Sequence, residues 1–497
     1  AKLIVIDPRQ EGLGKIADWW IPITPGSDGA LALAMLKLII DSGRYDHEFI
    51  EKYTRGFEEF KAYLDTQIME QLSKWCGISV TDIEKLTEIF CSTAKIPLVA
   101  YTGLEYQLSA IQNNRAIFVL WAITGKLDAP GAIYLNAKGL EAPKLFEIPE
   151  DDKPIGVDEF PLFYKFSGLG QFSRFPKAVL EDEPYPVRGL MILGGSPVLS
   201  FPDSKSWREA YKKLDCLIVL DRYFTEDARY ADVVFPACSL FEVPKAVPGP
   251  EGPHIVEPLI EPVGESKNDV LIMGAIAKKL GFGDKLPQTE EELRSWLLSG
   301  TAPYAGDFGT SADQKKEKHY KKYETGELRA DGKPGFPTPS GKLEICSTIL
   351  EENGFVPYPE YKDVRSIPEL AGKEYPFTMT SGARSNNRMG VFGANLDKIA
   401  EIEPYPFVDI NAEDAKEIGI EDGDMVKVIT PFADGTFKAK IRGIARHAIH
   451  IPHGGGSAYM AEPWKNGNVN DLCSLDYADP MTGFVLIKSV PCRVEKV

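Results

Sequence analysis

Two aspartates stand where apolar, strand-like segments end, and each has a turn of small residues nearby. Asp7 follows the run at 1–6, with Pro-Gly-Ser-Asp at 25–28, and Asp221 follows the run at 216–220, with Gly-Gly-Ser-Pro at 194–197. A carboxylate can accept two hydrogen bonds from the N1–H and N2–H₂ edge of guanine, and amides at a helix start can hold a pyrophosphate. Ordinary turn chemistry is the simpler explanation of either motif alone. Their repetition favours two nucleotide-binding sites.

Alternating strand and helix patterns surround both motifs and predict an α/β fold. We predict two Rossmann-like nucleotide-binding α/β domains, at 1–135 and 187–370, separated by a loop-rich excursion at 136–186. The predicted strands of these domains are Ala1–Ile6, Ile96–Tyr101, Leu190–Leu193, Cys216–Leu220 and Ala231–Phe235. The predicted helices are Ala30–Ile40, Gln112–Ile123, Ser204–Lys213 and Lys267–Leu280, and residues 244–264 are predicted to be a Pro/Gly-rich loop.

The pattern changes near residue 371 to short strands separated by turns, which predicts a C-terminal β-barrel domain of the six-stranded type at 371–497. The predicted strands are Phe377–Thr380, Phe407–Ile410, Asp424–Thr430, Thr436–Ile441, Ala448–Ile451 and Phe484–Ser489. One helix, Ala412–Ile418, lies between them. Asp434-Gly435 predicts a hairpin turn, because this dipeptide favours the backbone twist of tight β-turns.

Composition excludes several classes of protein. The 497 residues include 43% hydrophobic and 26% charged residues, as in a globular chain. A net charge of -17 at pH 7 argues against nucleic acid as a partner. The longest apolar runs are too short for direct membrane insertion. The seven cysteines are scattered without Cys-x-x-Cys spacing, so we expect free thiols and no metal site built from this chain.

Three histidines, His447, His450 and His453, are spaced by three residues and could hold a metal ion from one face of a helix. The isoleucines between them and Pro452 favour an extended strand instead, in which His447 and His453 lie about 20 Å apart at ~3.3 Å per residue. A metal site is therefore disfavoured. His453 precedes three glycines and is the histidine we expect to touch a cofactor or substrate.

A series of ordered motifs resembles the DMSO-reductase family of molybdopterin oxidoreductases. They are Ile-Asp-Pro-Arg at 6–9, Pro-Gly-Ser-Asp-Gly at 25–29, the segments 219–237, 337–344, 380–384 and 407–424, and Asp-Pro-Met-Thr-Gly at 479–483. The resemblance implies molybdenum or tungsten held between two molybdopterin guanine dinucleotides. It also implies oxygen-atom or electron and proton transfer to a small inorganic or organic substrate, as in anaerobic respiration. The alternatives are a non-redox hydratase or hydroxyl transferase on the same cofactor, and a non-catalytic cofactor-binding fragment or split subunit.

The resemblance also implies which residues hold the cofactor. The first nucleotide would be bound by Asp7, Pro8, Arg9, Gly26, Ser27 and Asp28, and the second by Gly194, Ser196, Pro197, Asp221 and Thr225. The pterins would be contacted from the barrel by Ser381, Gly382, Arg384, Asn387 and Asn470. His453 is the candidate catalytic residue, and no metal ligand is assigned within this chain.

Members of this family carry a cysteine motif for a [4Fe-4S] cluster and a metal-ligating residue ahead of the Ile-Asp-Pro-Arg strand, and this sequence shows neither. We therefore expect the chain to begin inside a domain and to form the C-terminal two-thirds of such an enzyme, incomplete by itself. The cluster would come from the preceding part, and an iron–sulfur electron-transfer subunit would be the partner. No leader is visible, and a prokaryotic cytoplasm or periplasm are both compatible with the sequence.

Two local departures from the family pattern concern the cofactor loops. Gly194-Gly195-Ser196-Pro197 stands where the family usually has Asn-Pro before the second phosphate turn, which makes this turn smaller and more flexible. Gly455-Gly456 follows His453-Gly454 where an aromatic residue is common. We expect either a void or an additional close approach of backbone at this position.

Overall fold

The computed structural model describes residues 1–135, 153–247, 252–299, 319–382, 396–460 and 462–497. The helices are α1 Asp28–Asp41, α2 His47–Tyr53, α3 Phe57–Asp65, α4 Met69–Cys76, α5 Val80–Ser92, α6 Ala110–Ile123, α7 Pro161–Ser167, α8 Phe175–Glu181, α9 Pro197–Ser200, α10 Ser204–Lys213, α11 Asp269–Lys279, α12 Glu290–Leu298, α13 Lys322–Thr325, α14 Thr348–Glu352, α15 Asp397–Ile402 and α16 Ala412–Glu417. The strands are β1 Ile4–Ile6, β2 Trp19–Ile21, β3 Thr54–Arg55, β4 Gly189–Leu193, β5 Cys216–Asp221, β6 Val233–Pro236, β7 Lys245–Val247, β8 His254–Val256, β9 Leu343–Glu344, β10 Phe377–Ser381, β11 Phe407–Ile410, β12 Met425–Ile429, β13 Asp434–Ile441, β14 Ala448–Ile451 and β15 Val490–Lys496.

The N-terminal unit is built around α1, which is apolar on nearly every face and packs against α3, α4, α5 and α6. Strands β1 and β2 pair in parallel and direct their carboxyl ends towards the start of α1. The helices predicted at 30–40 and 112–123 are confirmed as parts of α1 and α6.

The strand predicted at Ile96–Tyr101 is wrong, because this segment is irregular in the structure. Val99 and Tyr101 are 91% and 83% exposed. The segment has the composition of a buried strand, but within the described ranges it pairs with no other strand, and Pro97 has no backbone N–H to donate.

Residues 319–361 pack on the N-terminal unit, whereas the prediction grouped them with the second α/β domain. Strand β9 pairs in parallel with β3. The Arg115 guanidinium donates hydrogen bonds to the carbonyls of Ile345 and Pro357, at 2.8 and 2.7 Å. Lys322 and Asp128 form an ion pair of 2.5 Å, with side chains that are 2% and 0% exposed.

The second unit contains a three-stranded parallel sheet in the order β4-β5-β6, covered by α8, α9 and α10. Helix α10 has the predicted bounds, Ser204–Lys213. The excursion predicted to be loop-rich contains α7 and α8 among its described residues. The loop predicted at 244–264 contains a short antiparallel pair, β7 and β8.

The C-terminal unit is a closed six-stranded barrel in the order β10-β14-β11-β13-β12-β15, as predicted. Strands β11 and β14 have the predicted bounds. The hairpin between β12 and β13 turns at 430–433, because Asp434 already pairs with Ile429 as a strand residue.

The sixth strand was predicted at Phe484–Ser489, and this is wrong. The strand that pairs with β10 and β12 is β15, which begins at Val490. Two backbone N–H groups of the predicted segment, those of Ile487 and Lys488, donate to the carbonyl of Tyr106 in the N-terminal unit. These donors are therefore used to hold the barrel against its neighbour.

We expect Lys322→Met to lower the free energy of unfolding by about 3–5 kcal/mol, because it leaves the Asp128 carboxylate buried without its cation. Urea unfolding measures this change. Lys321→Met is the matched control, since Lys321 forms an exposed ion pair with Glu324 and its loss is expected to cost less than about 1 kcal/mol. Equal unfolding midpoints for the two variants would contradict the assignment.

Candidate functional site

The first acidic strand end, Asp7, lies near Asp28 at the start of α1 and near Lys488 of the C-terminal unit, and the space between these residues is called the first cleft. Asp7 is accessible to solvent although protein atoms surround it, and its Oδ1 accepts the Arg9 N–H at 2.8 Å. Burial raises the pKa of Asp7. Burial also raises the pKa of Asp28, at the start of α1, to about 7, and the nearby Asp7 charge adds to this rise. Two carboxylates so placed favour a ligand that donates hydrogen bonds to them.

A series of hydrogen-bonded side chains behind Asp28 orients its carboxylate. The sequence analysis missed these side chains. The Gln107 side chain hydrogen-bonds with Asp28 and also donates to the carbonyl of Gly103 at 2.7 Å. Asn113 Nδ2 in turn donates to Gln107 Oε1 at 2.9 Å. A Cβ at Gly29 would lie 2.1 Å from Asn113 Oδ1, so only glycine allows α1 and α6 to approach this closely.

Two further residues of the predicted turn, Ser27 and Gly26, make contacts within the protein. Ser27 is fully buried, and its hydroxyl donates to the carbonyl of Thr24 at 2.7 Å. Gly26 has a φ of +88°, and a Cβ there would lie 2.7 Å from Cβ of Ser489, next to the barrel. Gly26 and Ser27 therefore support the cleft, but the Ser27 hydroxyl is already used in a hydrogen bond within the protein.

Lys488 links this cleft to the barrel, and it too was missed by the sequence analysis. Its ammonium donates to the carbonyl of Ser381, and a Cβ on Gly382 would lie 2.5 Å from Lys488 Nζ. Burial lowers the pKa of Lys488 to about 8, while Asp7 and Glu105 oppose this shift. The structure therefore brings Asp7, Ser381 and Gly382 together around one buried cation. Arg384 and Asn387 lie outside the described residues.

Pro8 and Arg9 contact two other parts of the C-terminal unit, strand β11 and the segment before β14. The Ala445 N–H donates to the carbonyl of Pro8 at 2.7 Å, and Arg9 forms a β-bridge with Ile444. The Arg9 guanidinium is ion-paired with Asp409, which is 1% exposed, at 3.3 Å. These contacts fix the main chain directly after Asp7.

The second acidic strand end is at the carboxyl edge of the parallel sheet. Asp221 Oδ1 accepts the N–H groups of Arg222 and Tyr223 at 2.6 and 3.2 Å. Gly194 ends the neighbouring strand with a φ of +57°, and a Cβ there would meet nothing within 4 Å. This open space beside a carboxylate leaves room for a ligand against the backbone. Thr225 Oγ1 lies buried and accepts the Ala228 N–H at 3.3 Å.

Ser196 and Pro197 begin α9, and the Ser196 hydroxyl donates to the carboxylate of Asp227. Asp227 is fully buried and also accepts the Tyr211 hydroxyl at 2.8 Å and the Val198 N–H at 3.2 Å. Burial and the adjacent carboxylate raise the pKa of Tyr211. The role of Asp227 was missed although it lies in the quoted segment 219–237.

Asn470 joins the barrel to the second unit. Its Nδ2 donates to the carbonyl of Leu199 at 2.7 Å and lies 3.4 Å from Nδ1 of His453. A Cβ on Gly455 would lie 2.6 Å from the carbonyl oxygen of Gly467, and one on Gly456 would lie 2.8 Å from Cβ of Asn468. Of the two expected alternatives, the structure shows the close approach of backbone.

The three histidines are not arranged as a metal site. Strand β14 contains His450 alone, and His447 has a φ of +56° and an exposed ring. No group of three or more His, Cys, Asp or Glu side chains suited to a metal ion occurs within the described ranges. No helix of the described residues is long and apolar enough to cross a membrane.

Each α/β unit thus has a carboxylate at a strand end. The same barrel contacts both units. Several buried polar atoms along the first contact have no hydrogen-bond partner among the described residues: Arg9 Nε, Ser381 Oγ and His450 Nε2. The carboxylates, these unpaired polar atoms and the open backbone at Gly194 fit two ligands. Each ligand would present the edge of a base to a carboxylate and an anionic group to the cations.

We expect Gly456→Ala to destabilise the barrel contact by about 2–4 kcal/mol, because a φ of +95° disfavours alanine and its Cβ would collide with Asn468. Gly419→Ala is the control, since Gly419 has a φ of +68° and open space around it. Strain alone predicts about 1 kcal/mol for the control. Urea unfolding of both variants tests this, and equal losses would show that the close approach is not required.

Two sequence models of known families match the chain. The model "Molybdopterin oxidoreductase" matches residues 1–279, and the model "Molydopterin dinucleotide binding domain" matches residues 378–491. The solved structure of acetylene hydratase from Pelobacter acetylenicus superposes with a TM-score of 0.80 at 23% sequence identity, covering 100% of this chain and 74% of that one. That similarity shows the fold.

Curated relatives extend the comparison. The chain is 29% identical over 446 residues to "Probable oxidoreductase YoaE" of Bacillus subtilis (strain 168), covering 86% of this chain and 61% of that protein. It is 27% identical over 493 residues to acetylene hydratase of Syntrophotalea acetylenica, covering 91% and 66%. It is 29% identical over 481 residues to the F420-dependent formate dehydrogenase subunit alpha of Methanocaldococcus jannaschii, covering 91% and 67%.

The chain thus spans less than two thirds of the length of the first two of these relatives. The match over 1–279, the dinucleotide-binding match over the barrel and the shared fold agree. This chain belongs to the molybdopterin oxidoreductase family.

Proposed function

We propose that this chain holds two molybdopterin guanine dinucleotides with molybdenum or tungsten, as part of the catalytic unit of an oxidoreductase. The observation that carries the proposal is the pair of strand-end carboxylates, Asp7 and Asp221, each in a unit that contacts the same barrel. Each of the two carboxylates would accept the edge of one guanine, and residues of the shared barrel would contact the two dinucleotides.

In the first cleft, Asp7 and Asp28 accept hydrogen bonds from the base and sugar side, and Gln107 keeps Asp28 oriented. Arg9 and Lys488 balance the negative charge of the dinucleotide. In the second, Asp221 accepts the guanine edge while Gly194, Pro197 and Thr225 shape the turn. From the barrel, Ser381, Gly382 and Asn470 face the pterins, and Arg384 and Asn387 are assigned by motif alone.

When bound, the cofactor supplies a metal centre for oxygen-atom or electron and proton transfer. The protein excludes water, orients the pterins and balances charge. His453 is half-buried, and its Nδ1 lies 3.4 Å from Asn470 Nδ2. We assign to its imidazole the contact with the substrate. The substrate is proposed to be a small inorganic or organic molecule.

The proposed partner is an iron–sulfur subunit that transfers electrons. Two relatives are described as subunits: the F420-dependent formate dehydrogenase subunit alpha and the molybdopterin-containing subunit PhsA of thiosulfate reductase from Salmonella typhimurium, which is 24% identical over 404 residues. These descriptions support a catalytic subunit that works in a complex.

A second candidate function is hydration without net redox change. It is favoured by the relationship to acetylene hydratase, which matches in both sequence and fold. Two assays distinguish the candidates. In the first, the loaded protein is incubated with an alkyne in the absence of an electron acceptor. In the second, it is incubated with an electron donor dye and an oxyanion. Turnover in the first assay alone would favour the hydratase.

We expect acid hydrolysis of the purified, cofactor-loaded protein to release about two guanine nucleotides per chain, together with one molybdenum or tungsten atom. Nucleotides are counted by chromatography and metal by elemental analysis. One nucleotide or none would overturn the proposal of two sites.

Asp221→Ala is expected to lose one of the two nucleotides selectively, because a guanine edge without its carboxylate forfeits roughly 1.5–3 kcal/mol. Asp221→Asn should retain more nucleotide than Asp221→Ala, since it keeps one acceptor. Asp65→Ala, at the exposed end of α3, is the control. Equal nucleotide content in all four proteins would argue against this role of Asp221.

A further inference from the structure

A buried polar cluster lies on the outer face of the barrel, beneath the segment that follows Asp7. Asp409 and His450 are opposite each other in the register of β11 and β14. Their strand neighbours Val408, Ile449 and Ile451 belong to the barrel core. Because side chains alternate along a strand, Asp409 and His450 face the N-terminal unit instead.

One carboxylate oxygen connects two different partners in this cluster. Asp409 Oδ2 lies 3.2 Å from His450 Nδ1 and 3.3 Å from Arg9 Nη2. The other oxygen, Oδ1, lies 3.3 Å from Arg442 Nε. Both Asp409 and His450 are about 1% exposed, while Arg9 remains one-fifth exposed. Arg9 is thus the member of the cluster that extends to the cleft. Asp409 and His450 can act on the cleft only through Arg9.

We propose that Asp409 and His450 are positioning residues for Arg9. The neutral imidazole donates its Nδ1–H to Asp409 Oδ2 and fixes the carboxylate, and the carboxylate holds the guanidinium at the edge of the first nucleotide cleft. This inference rests on the proposed function, since it assigns to Arg9 the charge balance of the nucleotide bound beside Asp7.

The charges around His450 require the neutral imidazole. The groups that face it are Asp409 from β11, Arg9 from the segment after β1 and Lys488 from the segment before β15, while its partner in β10 is the uncharged Thr380. Burial, with a smaller effect of the two nearby cations, lowers the pKa of His450 to about 4, although Asp409 acts to raise it. Protonation would place a third cation beside Arg9 and weaken its hold on Asp409.

A double-mutant cycle tests whether Asp409 acts through Arg9. The rate at which cofactor-loaded protein releases guanine nucleotide at pH 7 is measured for wild type, Asp409→Asn, Arg9→Ala and the double variant. We expect Asp409→Asn to speed release of one of the two nucleotides roughly tenfold, and to have less than about a twofold effect in the Arg9→Ala background. Equal effects in both backgrounds would overturn the proposal, because a purely structural role does not depend on Arg9.

His450 is tested with two substitutions and a matched control. His450→Asn keeps an N–H donor at the position of Nδ1 and should release nucleotide at the wild-type rate at pH 7, whereas His450→Leu should approach Asp409→Asn. His447→Asn is the control, because His447 is also beside an aspartate, Asp414 at 3.7 Å, but is exposed. Faster release from His450→Asn than from His447→Asn at pH 7 would contradict the role of the Nδ1–H.

The pH dependence supplies a separate readout. As the pH falls from about 6 towards 4, the wild-type protein should release the first nucleotide progressively faster than His450→Asn, which cannot be protonated in this range. Parallel pH profiles would overturn the requirement for a neutral imidazole. A wild-type protein that holds no guanine nucleotide would overturn the proposed function itself. If wild type holds two and Arg9→Ala releases them at the wild-type rate, the inference fails and the proposed function stands.

Discussion

The ion pair between Arg9 and Asp409 is the interaction on which the first cleft depends. It joins a residue two positions after the cleft aspartate to a strand in the middle of the barrel, at 3.3 Å. The Ala445 N–H to Pro8 carbonyl bond beside it fixes the main chain in the same register. The barrel can therefore place Lys488 and Ser381 beside Asp7 with little freedom to slide. The N-terminal unit supplies the carboxylates Asp7 and Asp28 and the cation Arg9, whereas the C-terminal unit supplies the second cation, Lys488.

The barrel contacts the second unit largely through its backbone and one amide. Asn470 donates to the carbonyl of Leu199, the Arg208 guanidinium donates to the carbonyl of Gly456 at 3.4 Å, and the Ala458 N–H donates to Glu226 at 3.0 Å. Arg208 also forms an ion pair with Asp471 at 4.0 Å. The barrel is thus joined to both units by ion pairs as well as by hydrogen bonds, and added salt is expected to weaken the ion pairs of both contacts.

Local patterns in the sequence predicted the elements that satisfy their own hydrogen bonds or carry a clear period. Helix α10 and strands β11 and β14 have the predicted bounds because apolar spacing and flanking turn residues mark both ends. The segment at 96–101 has strand composition without a strand partner, and 484–489 uses its amides on a neighbouring unit. Pairing of this kind is decided by distant parts of the chain, so local sequence could not reveal it. Lys488, Gln107 and Asp227 were missed for the same reason, since their partners are close in space and mostly far in sequence.

The pairing of β3 with β9 has a consequence for how the chain folds during synthesis. The core of the N-terminal unit contains Ile345 and is closed by the buried Lys322–Asp128 pair, so it remains unfinished until residues 319–361 have left the ribosome. At ~5–20 residues per second, this delay after residue 135 amounts to roughly ten to fifty seconds. The parallel sheet of the second unit, whose strands lie within 189–236, emerges during that interval and can form first. We expect the apolar faces of α1 and α6 to be the surfaces that a chaperone protects on the nascent chain.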